Sequence, residues 1–236
     1  MFDLIAFDAD DTLWHNESLY KMGRARYVEL LAKYKPQGSI DEQLDEVQIR
    51  NLRYYGYGVK NFVLSLIETS IKLTGGRITA DDIQCLIDLS KEMIAAEVRL
   101  FDGAEKVVAK LSSSFSLMLI TKGDLLHQRS KIDRSGLRKH FQHIEIVSDK
   151  TRDAYKEILD RHNVEASRFL MIGNSLRSDI LPVVELGAWA VYVPYELTWS
   201  HEEIDPAQDV RHRYVEAEHL GRIPEVIEKL AKRSGL

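Results

Sequence analysis

A doubly wound, parallel-sheet (Rossmann-like) α/β core interrupted by an α-helical insert is the fold this sequence predicts, on three observations. Short apolar runs recur at residues 2–7, 117–120, 144–147, 169–172 and 189–193. Segments of helical character at 104–111, 125–135, 152–161 and 180–186 alternate with the later runs. Strand alternating with helix argues for a parallel sheet covered on both faces. Between 15 and 98, by contrast, four helix-like stretches follow one another with no convincing strand among them. The predicted organisation is a core of residues 1–14 and 99–236, with a helical domain of residues 15–98 inserted after the first strand.

The first strand leads into the most telling residues. After Leu4, Ile5, Ala6 and Phe7 come Asp8, Asp10 and Asp11, then the Thr12 hydroxyl. Buried strands avoid acids because an unpaired buried charge is costly. Acids clustered where a strand ends therefore point to a site, most simply one that holds a divalent cation. In extended backbone residues i and i+2 share a face, so Asp8 and Asp10 can enter one pocket while Ala9 points away.

The insert reads as helices over 17–34, 40–53, 59–73 and 80–97. Ser39 with Glu42 has the form of a capping box, and Thr79 is placed to cap the fourth helix. Pro36 with Gly38, Gly56 with Gly58, and Gly75-Gly76 punctuate the connections. Past the insert, Gly103 and Gly187 stand where turns beside helix ends are expected. Polar residues of interest then follow successive strands: Thr121 with Lys122-Gly123-Asp124, Lys150, and Gly173-Asn174-Ser175 with Asp179 five residues after Asn174. Ligands of open α/β sheets bind outside these carboxyl ends. Singly, each has a plain structural explanation, Thr121 as a helix cap, Lys150 as a solvated loop lysine and Asn174 as a turn residue.

Bulk properties narrow the function. The chain has 236 residues, 44% apolar and 29% charged, an ordinary globular composition. No apolar stretch approaches the ~20 residues that span a bilayer. No basic region precedes the short N-terminal apolar run, so a secretory signal is not expected. Cys85 is the single cysteine, which fits a reducing cytoplasm. A net charge of -5 argues against binding to nucleic acid polymers or acidic membranes.

The ordered set Asp8-x-Asp10-x-Thr12, Thr121, Lys150 and Gly173-Asn174 with Asp179 resembles the motifs of the haloacid dehalogenase superfamily, in the phosphatase branch whose helical cap follows the first motif. That resemblance implies an Mg²⁺-dependent phosphatase of a small phosphorylated metabolite. It assigns Asp8 as nucleophile, Asp10 as general acid and base, and Thr121 and Lys150 as donors to the phosphoryl oxygens. Thr12 and Lys122 are implied to help bind substrate. The implied Mg²⁺ ligands are Asp8, Asp10 through its carbonyl, Asn174 and Asp179. Where the family usually has Gly-Asp this chain has Gly173-Asn174, a neutral but still acceptable oxygen ligand.

The insert's Arg53, Tyr55 and Tyr57, around a glycine-rich turn, are expected to meet substrate from the cap; the alternative is aromatics packed into the cap's own core. Other readings are a nucleotide 5′-phosphatase, a sugar-phosphate mutase, a dehalogenase and a catalytically silent binding protein. Dehalogenases of this family lack the second acid, which this chain keeps as Asp10.

Overall fold

The computed structural model describes residues 2–34, 39–197, 199, 202 and 213–233. The turn expected at Pro36 and Gly38 lies outside the described residues. Chain contacts divide the protein into two compact units, Met1–Glu17 with Val98–Leu236, and Ser18–Glu97.

The first unit is built on a six-stranded sheet whose paired neighbours all run parallel. Its strands are β1 (Leu4–Phe7), β2 (Ser116–Lys122), β3 (His143–Val147), β4 (Phe169–Gly173), β5 (Trp189–Tyr192) and β6 (Tyr214–Glu216), in the spatial order β3-β2-β1-β4-β5-β6. The chain winds one way from β1 to β3 and the other way from β4 to β6. The order therefore switches direction beside β1, and the crevice of a doubly wound sheet opens there.

Both faces of the sheet are covered, which is why β1 is apolar at every position. Ile5 and Phe7 pack with Leu119, Ile172, Val108 and Ile227 on one side. Leu4 and Ala6 pack with Met118, Met171, Tyr155 and Val183 on the other. The covering helices are α5 (Ala104–Ser112), α6 (Leu125–Arg134), α7 (Arg152–His162), α8 (Leu181–Val184) and α9 (Ile223–Arg233), numbered after the four of the insert.

Three features depart from the sequence reading. The run 2–7 becomes strand only from Leu4, although Phe2 is buried in the core. The helix expected at 180–186 is a π-helical turn, Leu176–Ile180, followed by the short α8, which carries Pro182. Last, β6 and α9 were not anticipated. A three-residue strand at a sheet edge is recruited by main-chain pairing to β5 and needs no apolar signature of its own.

The second unit contains α1 (Glu17–Ala32, whose first residue belongs to the other unit), α2 (Ile40–Tyr55), α3 (Val59–Leu73) and α4 (Ala80–Ala95). Tyr27, Leu31, Leu44, Phe62, Leu66, Leu86 and Met93 form its core. Ser39 accepts the Glu42 N–H at the head of α2, and Thr79 accepts the Asp82 N–H at the head of α4. Helix α2 runs two residues beyond its expected end and stops at Gly56, whose φ of 66° suits glycine. Among the described residues no helix is long and apolar enough to cross a membrane.

Candidate active site

The site assembles at the carboxyl ends of β1, β2 and β4, with Lys150 supplied by the segment after β3. Asp8 is the first residue beyond β1, and its N–H still donates to the Ile172 carbonyl of β4, 2.8 Å away. Its side chain is thus held by the sheet rather than by a loose loop. Lys150 precedes α7 and is almost completely buried. Its Nζ donates to Asp8 Oδ1 and, at 2.7 Å, to Asp179 Oδ1. A buried lysine is tolerable only when paired in this way.

Asp179 projects from the π-helical turn after β4. Its Oδ2 accepts the Ser175 N–H at 3.0 Å, and its side chain packs closely against Gly173. A Cβ at Gly173 would fall 2.3 Å from Asp179 Cγ and Oδ2, so glycine is required here by close approach. Asn174 Oδ1 accepts from Thr12 Oγ1 at 3.1 Å, which joins the loop after β1 to the loop after β4.

Asp10 stands in a separate environment. Lys131 Nζ donates to both of its oxygens, at 2.6 and 2.7 Å. Trp14 Nε1 donates to Oδ1 at 2.6 Å and Gln128 Nε2 to Oδ2 at 3.0 Å. The same Gln128 amide donates to Thr121 Oγ1 at 2.6 Å. Electrostatics separate the two acids. Burial pushes the Asp8 carboxyl up to about 7 against the pull of the Lys150 ammonium, and the Asp179 carboxylate adds to the rise. Burial alone would also raise Asp10, but Lys131 and the hydrogen bonds from Lys131, Gln128 and Trp14 hold it below its usual value. Burial opposes the charge on Lys150, yet Asp179 and Asp8 raise it. The two carboxyls of this short loop are thus pushed in opposite directions.

Asp11 is not part of this cluster. Its carboxylate accepts the N–H groups of Asn16 and Glu17 at the entry to α1, and its φ of 61° is one that Asp tolerates better than most residues. Lys122 is already engaged, with Nζ donating to Ser178 Oγ at 2.8 Å and Glu202 Oε1 at 2.5 Å. Glu202 also accepts from the Ser175 and Ser178 hydroxyls, each at 2.6 Å. Arg53, Tyr55 and Tyr57 belong to the second unit. Arg53 and Tyr55 lie in the last turn of α2, where the Arg53 guanidinium stacks on the ring of the exposed Tyr54, 4.6 Å from its centroid; Tyr55 is exposed too.

The sequence reading did not single out Lys131, Gln128, Trp14 or Glu202. For Gln128 and Lys131 a signal existed: polar residues three apart, beside Ile132, on the buried face of α6. Glu202 had none, since it lies beyond the last anticipated strand.

The oxygen donors suit a hard divalent cation. They are the carboxylates of Asp8 and Asp179, the Asn174 amide oxygen and the main-chain carbonyl of Asp10. Among the described residues no three His, Cys, Asp or Glu side chains are grouped to hold a metal, so any such shell is mixed in character.

A doubly wound α/β protein with a buried carboxylate–lysine–carboxylate centre at its switch point has the form of an enzyme core. The chain belongs to the haloacid dehalogenase-like hydrolase family, whose model matches residues 2–187. A solved haloacid dehalogenase-like hydrolase from Xanthomonas campestris is 37% identical, with a TM-score of 0.88 over 99% of this chain and 94% of that one. The glyceraldehyde 3-phosphate phosphatase of Pyrococcus furiosus is 25% identical over 98% of this chain and 94% of its own length. The N-acylneuraminate-9-phosphatase of Mus musculus is 23% identical over 75% of each chain.

Proposed function

We propose that this haloacid dehalogenase-like hydrolase, a phosphoric monoester hydrolase, is an Mg²⁺-dependent phosphatase of a small phosphorylated metabolite, working through an aspartyl-phosphate on Asp8. The observation that carries the reading is the division of the acids: Lys150 holds Asp8 and Asp179, while Lys131, Gln128 and Trp14 hold Asp10. The phosphatase relatives support the substrate class, because glyceraldehyde 3-phosphate and N-acylneuraminate 9-phosphate are both small phosphomonoesters.

In this reading the Asp8 carboxylate attacks phosphorus in line as the bond to the leaving oxygen breaks. Thr121 and Lys150 donate to the phosphoryl oxygens, and Thr12 steadies Asn174 beside them. Asp10, charged at rest beside Lys131, takes up a proton from solvent and gives it to the leaving oxygen. It then takes a proton from the water that attacks the aspartyl-phosphate and frees Asp8. Asp8, Asp179, Asn174 and the Asp10 carbonyl would hold Mg²⁺, which when bound neutralises charge on the phosphoryl group. A dehalogenase has no use for a second acid held by three donor groups, which favours the phosphatase.

We assign substrate selection to the helical unit, read as a cap, through Arg53, Tyr55 and Tyr57. The single, exposed Cys85 is in keeping with a reducing cytoplasm. The test is phosphate release from a panel of phosphorylated metabolites, with and without Mg²⁺, by the parent and Asp8→Asn. The variant should lose on the order of 10³-fold in turnover, and beryllofluoride should occupy Asp8 alone in the parent. Near-normal turnover by Asp8→Asn would overturn the mechanism.

A further inference from the structure

We infer that Lys131 is a positioning residue for this reaction: with Gln128 it holds the Asp10 carboxylate at the leaving-group side of the site, apart from the Lys150 ion pair. The inference rests on the reading of Asp10 as proton donor and acceptor. It adds two residues of α6 to which none of the motifs assigns a role.

The geometry is that of a clamp. The Lys131 side chain is 7% exposed and its Nζ lies within 2.7 Å of both Asp10 oxygens. A third bond, to Asn16 Oδ1 at 3.2 Å, also steadies the ammonium. Bringing a lysine to this depth costs desolvation, and a surface ion pair would serve stability equally well without that cost. Gln128, one helical turn earlier, ties the clamp to the phosphoryl-binding side. Its single amide nitrogen reaches Asp10 Oδ2, Thr121 Oγ1 and the Lys122 carbonyl, the last at 2.9 Å.

Charge explains why a second lysine is needed. Asp8 and Asp10 are two residues apart on one loop, and Lys150 already serves Asp8 and Asp179. Without Lys131, Asp10 would compete for Lys150 or turn toward solvent, and a proton passed through it would arrive in the wrong place. Every group of the clamp lies in the same compact unit as Asp8.

Because Lys131 favours the charged form of Asp10, the carboxyl first takes up a proton from solvent. The chemistry that depends on this placement is the transfer of that proton to the leaving oxygen as its bond to phosphorus breaks and the Asp8–phosphorus bond forms. Lys131 keeps its own protons throughout. A leaving group that departs readily as an anion does not need the transfer, whereas an alkoxide does. A merely structural ion pair would not distinguish the two.

The experiment measures kcat/KM for Lys131→Met, Asp10→Asn and the parent on phosphate monoesters running from dinitrophenyl to alkyl. General acid catalysis contributes about 10²–10⁴-fold, and a misplaced acid forfeits part of it. Lys131→Met should lose about 10- to 100-fold on the alkyl ester and no more than about threefold on the dinitrophenyl ester. Beryllofluoride should still occupy Asp8. If Lys131→Met does not fold, Lys131→Gln is read on the same series against the same thresholds. A loss that is equal across the series, or absent, while Asp10→Asn does depend on the leaving group, would overturn the clamp and leave the phosphatase reading intact. An Asp10→Asn loss independent of the leaving group would overturn the role of Asp10, and the clamp with it.

Discussion

Replacing Gly173 by alanine is the smallest change that should disable this site. The new methyl carbon would stand 2.3 Å from both Asp179 Cγ and Oδ2. An ordinary carbon–oxygen contact lies roughly 1 Å further out, at the separations where dispersion is favourable. Asp179 has no easy retreat, because it is 1% exposed and anchored by Lys150 and the Ser175 N–H. Overpacking of this kind costs about 1–3 kcal/mol. For a chain of this size that lowers Tm by roughly 2–12 °C. The displaced carboxylate also shifts Lys150, which holds Asp8 from its other side. A catalytic group misplaced by about 1 Å loses on the order of 10²-fold in rate.

The assay is a double-mutant cycle of Gly173→Ala and Asp179→Gly, read by thermal denaturation and by phosphate release. Asp179 Cβ would also lie 2.5 Å from the new methyl carbon, so only glycine at 179 removes every atom it strikes. The double variant should then be no worse than Asp179→Gly alone, a coupling of about 1 kcal/mol or more by the usual ~0.5–3 kcal/mol range for residues in contact. Additive losses, or a Gly173→Ala protein with parental Tm and activity, would refute the close-approach argument.

Three further outcomes are expected. Chelation should abolish phosphate release and Mg²⁺ restore it, and Asn174→Asp should lower the Mg²⁺ concentration that gives half-activity, because it adds a negative charge beside the ion; an unchanged requirement would remove Asn174 from the metal shell. Burial would raise the Glu202 carboxyl, but Lys122 and the bonds from Lys122, Ser175 and Ser178 hold it at about 2. A depressed acid contributes stability that is full above its ordinary value near 4.5 and lost as pH falls toward 2. The stability gap between the parent and Glu202→Gln in urea should therefore narrow between pH 6 and about pH 3, and a constant gap would show that the ion pair does not form. Tyr55→Ala and Tyr57→Ala should reorder natural phosphate esters by kcat/KM while barely changing a small aryl phosphate; a uniform loss would indicate packing within the helical unit instead.

Much of the architecture is legible in the amino-acid sequence. Strand and helix segments are local features, set by apolar periodicity and by punctuation at glycines and caps, so Leu4–Phe7, Phe169–Gly173 and the four inserted helices stand within a few residues of their expected places. Edge strand β6 escaped because main-chain pairing to β5 recruits it. Helix α9 did place Ile223, Ile227 and Leu230 on one face, a pattern present in the sequence and not used.

By itself the sequence determined the parallel α/β class, the insertion point of the helices, and which polar residues stand at strand ends. Only the tertiary structure decided who partners whom. Asp8, Asp10 and Asp11 look alike in a row, yet one meets Lys150, one meets Lys131, and the third closes the entry to α1. Lys122, which the resemblance implied would help bind substrate, is met in the fold by Ser178 and Glu202. The physical reason is range. Helix and strand preferences are settled among neighbours a few positions apart, whereas a buried charge takes its partner from whatever the fold brings within about 3 Å, here across 142 residues for Asp8 and 121 for Asp10.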